Sequence, residues 1–125
     1  RPLSSMTPTV IRDSGEVVTM VIGSPGGPRI ITSVLEVILR VLVYGQSLEA
    51  AIHAPRVHQQ WKPEQTDLEP GWASGAIEAL EGRGHEIRVR DSKWASVQGI
   101  RVKIGGRPIA VSDPRRGGSG AVQDD

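Results

Sequence analysis

The stretch GSPGGPRIITSVLEVIL, residues 23–39, predicts the junction between a β-strand and a long apolar helix, and this junction decides the fold. Its glycines and prolines interrupt the β-branched run before it, and Pro28 suits the first turn of a helix because the N–H that proline lacks would be unpaired there. Apolar residues occupy most positions from 29 to 42, so the pattern predicts a helix buried on most of its sides. The polar residues of this segment form a narrow stripe that we expect to face solvent: Thr32, Ser33, Glu36 and Arg40.

Strands and shorter helices are predicted on both sides of this helix. Residues 9–12 and 16–22 are rich in β-branched residues and flank a turn-like segment at 13–15, which predicts a hairpin. Ser47 is a suitable N-cap for a helix that ends before Pro55. Further extended segments are predicted at residues 56–61, 86–90, 94–104 and 107–112, and a further helix at 72–81. Because helices and strands are mixed, with hairpins near each end, the predicted fold class is α+β rather than doubly wound α/β.

Length and composition favour one ordinary domain. The chain has 125 residues, of which 38% are hydrophobic, so we expect a single domain over residues 1–125, with a flexible tail at 117–125. The formal net charge of +1 lacks the strong positive field of a nucleic-acid binder, and no nucleic-acid partner is predicted. The absence of cysteine excludes a disulfide framework and a thiolate nucleophile.

The loop of residues 23–28 is a candidate anion site. It lies where a helix begins, and there unpaired N–H groups and the helix dipole favour negative charge. No Lys-Ser/Thr pair follows the glycines as in a phosphate-binding loop, and the GxGxxG spacing of dinucleotide sites is absent. What remains is an oxyanion hole, in which the N–H groups of Gly26 and Gly27 would stabilise a tetrahedral intermediate. The alternative is a turn that only lets the helix pack closely against the strand, which is the commoner role of such glycines.

Two adjacent serines form a second candidate site, in the segment PLSSM of residues 2–6. Ser4 and Ser5 offer two hydroxyl donors to a carboxylate or a carbonyl, although adjacent serines are more often solvated or capping groups. Neither lies in the G-x-S-x-G sequence of a nucleophile elbow, so the residues themselves do not indicate a serine nucleophile.

The remaining polar residues favour structural roles. No two of His53, His58 and His85 have the i,i+3 or i,i+4 spacing of a helical metal pair, so no metal site is predicted. No cofactor is predicted either. Arg115 and Arg116 could bind an anion, but capping of a helix or strand and solvation are the commoner roles of such a pair.

Four segments together resemble the γ-glutamyltransferase family. They are RPLSSMTPTV, GSPGGPRIITSVLEVIL, APRVHQQWKP and DPRRGG, which follow the family's order and span nearly all of the chain. The resemblance implies an enzyme whose precursor cuts itself into a large and a small subunit, with the N-terminal threonine of the small subunit as nucleophile. It also implies the αββα sandwich of N-terminal-nucleophile hydrolases. This chain would be the C-terminal part of the small subunit, without the segment that carries the nucleophile.

The resemblance also assigns roles and partners. It implies that Ser4 and Ser5 bind the α-carboxylate of a γ-glutamyl donor such as glutathione, and that the N–H groups of Gly26 and Gly27 form the oxyanion hole. No residue in this chain matches the threonine nucleophile, so we expect the isolated chain to be inactive. The expected partners are the rest of the small subunit and the large subunit. Self-association of the isolated chain is also expected, because uncovered apolar faces and strand edges favour pairing.

Two other functions stay open from the sequence. One is a binding or assembly module that keeps the fold without catalysis. The other is an acylase that acts on cephalosporin side chains, within the same wider superfamily, and the paired serines favour a γ-glutamyl substrate over this one. By resemblance, the parent protein is expected in the periplasm or outside the cell.

Overall fold

By its internal contacts the chain divides into two compact units, Arg1–Ala54 with Ala95–Asp125, and Pro55–Trp94. The structure, a computed structural model, describes residues 7–102 and 105–122. The single domain and the flexible tail stay predictions. The elements in chain order are β1 (Thr9–Arg12), β2 (Val18–Gly23), α1 (Ile30–Leu42), α2 (Leu48–His53), β3 (Val57–His58), β4 (Thr66–Leu68), α3 (Ser74–Glu81), β5 (Ile87–Val89), β6 (Gln98–Arg101) and β7 (Ile109–Val111).

The larger unit is built on an antiparallel sheet of four strands in the order β1-β2-β6-β7. The predicted hairpin of β1 and β2 is confirmed, and Asp13 shapes its turn by accepting hydrogen bonds from the N–H groups of Gly15 at 2.9 Å and Val17 at 3.0 Å. Ser47 is confirmed as the N-cap of α2, because its side chain accepts from the N–H of Ala50 at 3.1 Å.

Helices α1 and α2 cover one face of this sheet, with α1 on β2 and α2 on β6 and β7. The buried face of α1 supplies Val34, Val37 and Val41, which join Met20 and Ile22 of β2 in the core. Side chains alternate between the two faces of a strand, so Met20 and Ile22 point towards the helices while Val21, between them, is exposed. The predicted helix after Pro28 is therefore confirmed as α1. Because α1 packs against β2, the loop that joins them runs between two elements that are fixed to each other.

The prediction that polar residues form the exposed stripe of α1 is wrong. Ser33 is fully buried, because it lies one turn before Val37 and so shares the face that contacts the core. Glu36 and Arg40 are half-buried. The exposed stripe is apolar instead and consists of Ile31, Leu35, Leu39 and Leu42. In the part of the chain that the structure describes, no helix combines the length and the apolar composition of a membrane span.

The smaller unit contains the sheet β3-β4-β5, in which β4 pairs antiparallel with β3 and parallel with β5. Helix α3 connects the two parallel strands. Two buried charged residues, Arg56 and Glu69, form hydrogen bonds within this unit. Glu69 accepts hydrogen bonds from the N–H groups of Arg56 at 3.1 Å and Trp94 at 2.8 Å, while the guanidinium of Arg56 donates to the carbonyl of Trp94 at 3.1 Å. These bonds join the two ends of the unit.

Candidate active site

The loop of residues 23–28 contains two successive glycines with positive φ. Gly26 has φ 148° and ψ 18°, and Gly27 has φ 60°. Both values lie in a region that residues with a side chain rarely adopt. Gly27 begins a 3₁₀ turn, Gly27–Arg29, that leads directly into α1, and the N–H of Arg29 donates to the carbonyl of Gly26 at 3.3 Å. The glycines therefore turn the chain sharply from β2 into the helix.

The N–H groups of Gly26 and Gly27 have no acceptor within the described part of the chain. Both residues are half-buried. They stand at the N-terminal end of a helical stretch that continues through α1, so the helix dipole adds positive potential there. Two such donors can stabilise the oxygen of a tetrahedral intermediate. The assignment of these two glycines as an oxyanion hole stays a prediction.

Gly26 is also constrained by a close contact that the sequence did not reveal. A Cβ atom at Gly26 would lie 2.9 Å from the Cβ and 3.1 Å from the Cα of Ala95, which is too close for carbon atoms. At Gly27, a Cβ atom would meet nothing within 4 Å. The close-packing alternative thus applies to Gly26 alone, and the packing partner is Ala95 rather than the helix.

The structure describes only some of the other sequence candidates. Ser4 and Ser5 lie outside the described residues. His58 is buried, and its Nε2 atom lies 3.1 Å from Oε1 of Gln60. Within residues 7–102 and 105–122, no group of three or more His, Cys, Asp or Glu side chains is placed to hold a metal ion.

Arg115 caps a helix. Its guanidinium donates to the carbonyls of Ile52 and Ala54 at the end of α2, both at 2.9 Å, and forms an ion pair with Asp113 at 3.1 Å. Arg116 is exposed. Of the two structural roles considered for this pair, Arg115 therefore has the capping role and Arg116 is solvated.

A groove of about 330 Å³ lies on the face of the larger sheet opposite to α1. Val21, Ile100, Ala110, Ser119 and Gly120 are among its lining residues. Among the described residues that line it, no side chain is titratable, so this part of the groove suits apolar contact rather than acid–base chemistry.

A sequence model of the family described as Gamma-glutamyltranspeptidase matches residues 1–123. The chain belongs to this family. Among curated proteins, the glutathione hydrolase proenzyme of Escherichia coli strain K12 is 39% identical over 115 residues, which cover 92% of this chain and 20% of that protein. The chain therefore spans about a fifth of the length of that relative.

Solved structures of gamma-glutamyltranspeptidases have the same fold. The T380A mutant from Helicobacter pylori superposes with a TM-score of 0.83 at 39% identity, over 92% of this chain and 63% of that chain. The enzyme from Pseudomonas nitroreducens complexed with L-DON gives a TM-score of 0.87 at 33% identity, over 99% of this chain and 65% of that chain. These findings confirm the α+β class and identify the chain as part of an N-terminal-nucleophile hydrolase fold. They also confirm the resemblance to γ-glutamyltransferases.

Proposed function

We propose that this chain is part of an enzyme that transfers or hydrolyses γ-glutamyl groups through an acyl-enzyme on a threonine outside the chain. In this proposal Gly26 and Gly27 supply the oxyanion hole, and Ser4 and Ser5 bind the α-carboxylate of a glutathione-type donor. The observation that carries the proposal is the pair of available N–H groups at the N-terminal end of a helix, in a member of the gamma-glutamyltranspeptidase family.

In the proposed reaction the threonine is the nucleophile, and the two glycines stabilise the negative charge that its attack creates. The threonine hydroxyl attacks the γ-carbonyl carbon and gives its proton to the α-amine of the same threonine, while the carbonyl oxygen becomes negative as the tetrahedral intermediate forms. The N–H groups of Gly26 and Gly27 donate to this oxygen, which lowers the barrier because the charge is larger in the transition state than in the substrate. The amine of the donor then leaves with that proton. Water or the amino group of an amino acid attacks the acyl-enzyme, its proton returns to the threonine oxygen, and the γ-glutamyl group is released.

The direct test uses the full-length protein and a chromogenic γ-glutamyl anilide. Release of the aniline after self-cleavage, with increased release in the presence of an amino-acid acceptor, would support the proposal. The isolated 125-residue chain should release none, because the nucleophile is absent. Full-length protein that cleaves itself but releases no aniline would favour the acylase alternative if it cleaves a cephalosporin side chain. If the full-length protein cleaves neither substrate, the result would favour the non-catalytic module.

Paired substitution of Ser4 and Ser5 by alanine should weaken binding of the donor. Each hydroxyl bound to a carboxylate contributes about 1.5–3 kcal/mol, so we expect KM for the anilide to rise tenfold or more, while self-cleavage continues. Steady-state kinetics and the masses of the two subunits measure both effects. Ser14→Ala, in the exposed turn of the hairpin, is the control that should change neither. A normal KM in the double variant would refute the assignment.

The apolar stripe of α1 supports the proposal that other segments of the parent protein cover this helix. Ile31 is 65% exposed and Leu35 is 49% exposed, which is unusual for large aliphatic side chains that repeat at the spacing of a helical face. We assign the cover to the rest of the small subunit and the large subunit. A location in the periplasm or outside the cell is part of the same proposal and rests only on the family resemblance.

Leu35→Glu should therefore have a different effect in each of the two forms of the protein. In the isolated chain it should reduce self-association, because the carboxylate interrupts the apolar stripe. In the full-length protein it should lower the thermal midpoint, because a charge is then buried against the covering segment. Light scattering after gel filtration and thermal unfolding measure the two effects, with Val89→Glu, another exposed apolar position, as the control. An isolated chain that is monomeric and binds no hydrophobic dye would contradict the need for a cover.

A further inference from the structure

Ser24 is a buried residue next to the two glycines, and the proposed mechanism does not use it. The residue is only 3% exposed. Its Oγ atom accepts a hydrogen bond from the N–H of Ser96 at 3.2 Å and donates to the carbonyl of Pro25 at 2.7 Å. One hydroxyl thus joins the start of the loop to a segment 72 residues later in the chain.

The segment that receives this hydrogen bond is itself held in place. The N–H of Val97 donates to Oδ2 of Asp113 at 2.8 Å, and Asp113 is fully buried. Ala95 has φ 56°, a conformation that persists in residues other than glycine only where neighbouring contacts impose it. Residues 95–97 therefore form a fixed support rather than a loose loop.

Residues 95–97 contact the loop of residues 23–28 at two points. Ala95 lies in close contact with Gly26, and Ser96 is bonded to Ser24. The contact prevents the loop from moving towards the support, and the hydrogen bond opposes movement away from it. Glycines alone would leave the loop free to sample other conformations, because they restrict φ and ψ least.

We propose that Ser24 is a positioning residue, whose hydrogen bond to Ser96 fixes the N–H groups of Gly26 and Gly27 where the negative oxygen develops. This inference rests on the proposed function of the two glycines. Oxyanion donors act only within about 2.7–3.1 Å of that oxygen, so a small displacement of the loop removes much of their effect. Because the charge on this oxygen is larger in the transition state than in the bound substrate, loss of position should lower kcat and leave KM nearly unchanged.

The test compares Ser24→Ala with Ser24→Thr in the full-length, self-cleaved protein. We expect Ser24→Ala to lower kcat for a γ-glutamyl anilide by about tenfold to a hundredfold, with KM within about twofold of the wild type. Ser24→Thr keeps the hydroxyl and should restore most of kcat. Ser14→Ala, on the exposed hairpin turn, should behave as the wild type. If Ser24→Ala does not fold, Ser24→Cys replaces it in the comparison, because a thiol has nearly the size of a hydroxyl but is a weak acceptor. We expect the same loss of kcat in Ser24→Cys, again with KM nearly unchanged.

Each other outcome overturns the inference. Unchanged kcat in Ser24→Ala, in a protein whose wild type is active, refutes the role of Ser24 and leaves the proposed function intact. An equal loss in Ser24→Thr shows that the hydroxyl is not the cause. A rise in KM alone places Ser24 in substrate binding instead. A wild type without γ-glutamyl activity refutes both the proposed function and this inference.

Discussion

Replacement of Arg115 by alanine is expected to lower the free energy of unfolding by about 3–5 kcal/mol, because it leaves a buried carboxylate without its cation. Asp113 is fully buried, and the side chain of Arg115 is only 2% exposed. The same change removes the donors to the carbonyls of Ile52 and Ala54, which terminate α2. The loss is therefore that of a charge pair and a helix cap together.

Urea unfolding of the full-length protein measures this difference. Arg116→Ala is the matched control, because Arg116 is the next residue, carries the same side chain and is exposed, so its effect should stay within about 0.5 kcal/mol. Arg115→Lys keeps the charge but loses the planar fork that reaches two carbonyls, and we expect an intermediate loss. If Arg115→Ala were no more destabilising than Arg116→Ala, the buried pair would contribute nothing to stability.

The sequence predicts those parts of the fold that depend on local signals. The turn after β1, the helix that follows Pro28 and the N-cap at Ser47 were all recognisable from residues within four positions of each other. The α+β class followed from the order of such segments. These features are determined by backbone preferences and short-range hydrogen bonds, which a single stretch of sequence contains.

Strand lengths were predicted less well, because partners in space determine them. The extended segment expected at residues 56–61 contains only β3, since β3 pairs with the short strand β4. The segment expected at 94–104 contains β6, of four residues. Its earlier part bonds instead to side chains, with Ser96 on Ser24 and Val97 on Asp113. Neither partner is close in sequence, so the alternation of residue types could not reveal them.

In the candidate site, too, local features could be predicted from the sequence and contacts between distant residues could not. Gly26 and Gly27 were recognisable because a Gly-rich break before an apolar helix is a local pattern. The contact of Gly26 with Ala95 was not, because Ala95 resembles any small residue until the fold places it against the loop. The apolar stripe of α1 was misassigned for a related reason. Periodicity shows that a helix has two faces, but the core decides which of them is covered.

Alanine at Gly26 is expected to lower kcat about a hundredfold or more, whereas alanine at Gly27 should lower it less than about tenfold. Both variants keep the N–H group, so neither removes a donor chemically. The difference arises from the backbone and from space, because φ 148° at Gly26 lies outside the left-handed α region that alanine can adopt at a cost, whereas φ 60° at Gly27 lies inside it. At Gly26 the new Cβ atom would lie 2.9 Å from that of Ala95, so the loop must shift and carry both donors away from the oxygen. At Gly27 the Cβ atom meets nothing within 4 Å, and the variant has only the cost of a left-handed alanine, about 1–2 kcal/mol of stability.

The explanation by displacement has its own test, in which the contact is relieved from the other side. Ala95→Gly removes the Cβ atom nearest to the substituted position, so the double variant Gly26→Ala with Ala95→Gly should recover part of the lost kcat. Steady-state kinetics on a γ-glutamyl anilide compare the three variants with the wild type, and thermal midpoints show that each is folded. Equal kcat in Gly26→Ala and Gly27→Ala would mean that contact with Ala95 does not position the donors. Recovery in the double variant would instead show that the distance between the loop and Ala95 controls the rate, since that substitution adds no new group to the site.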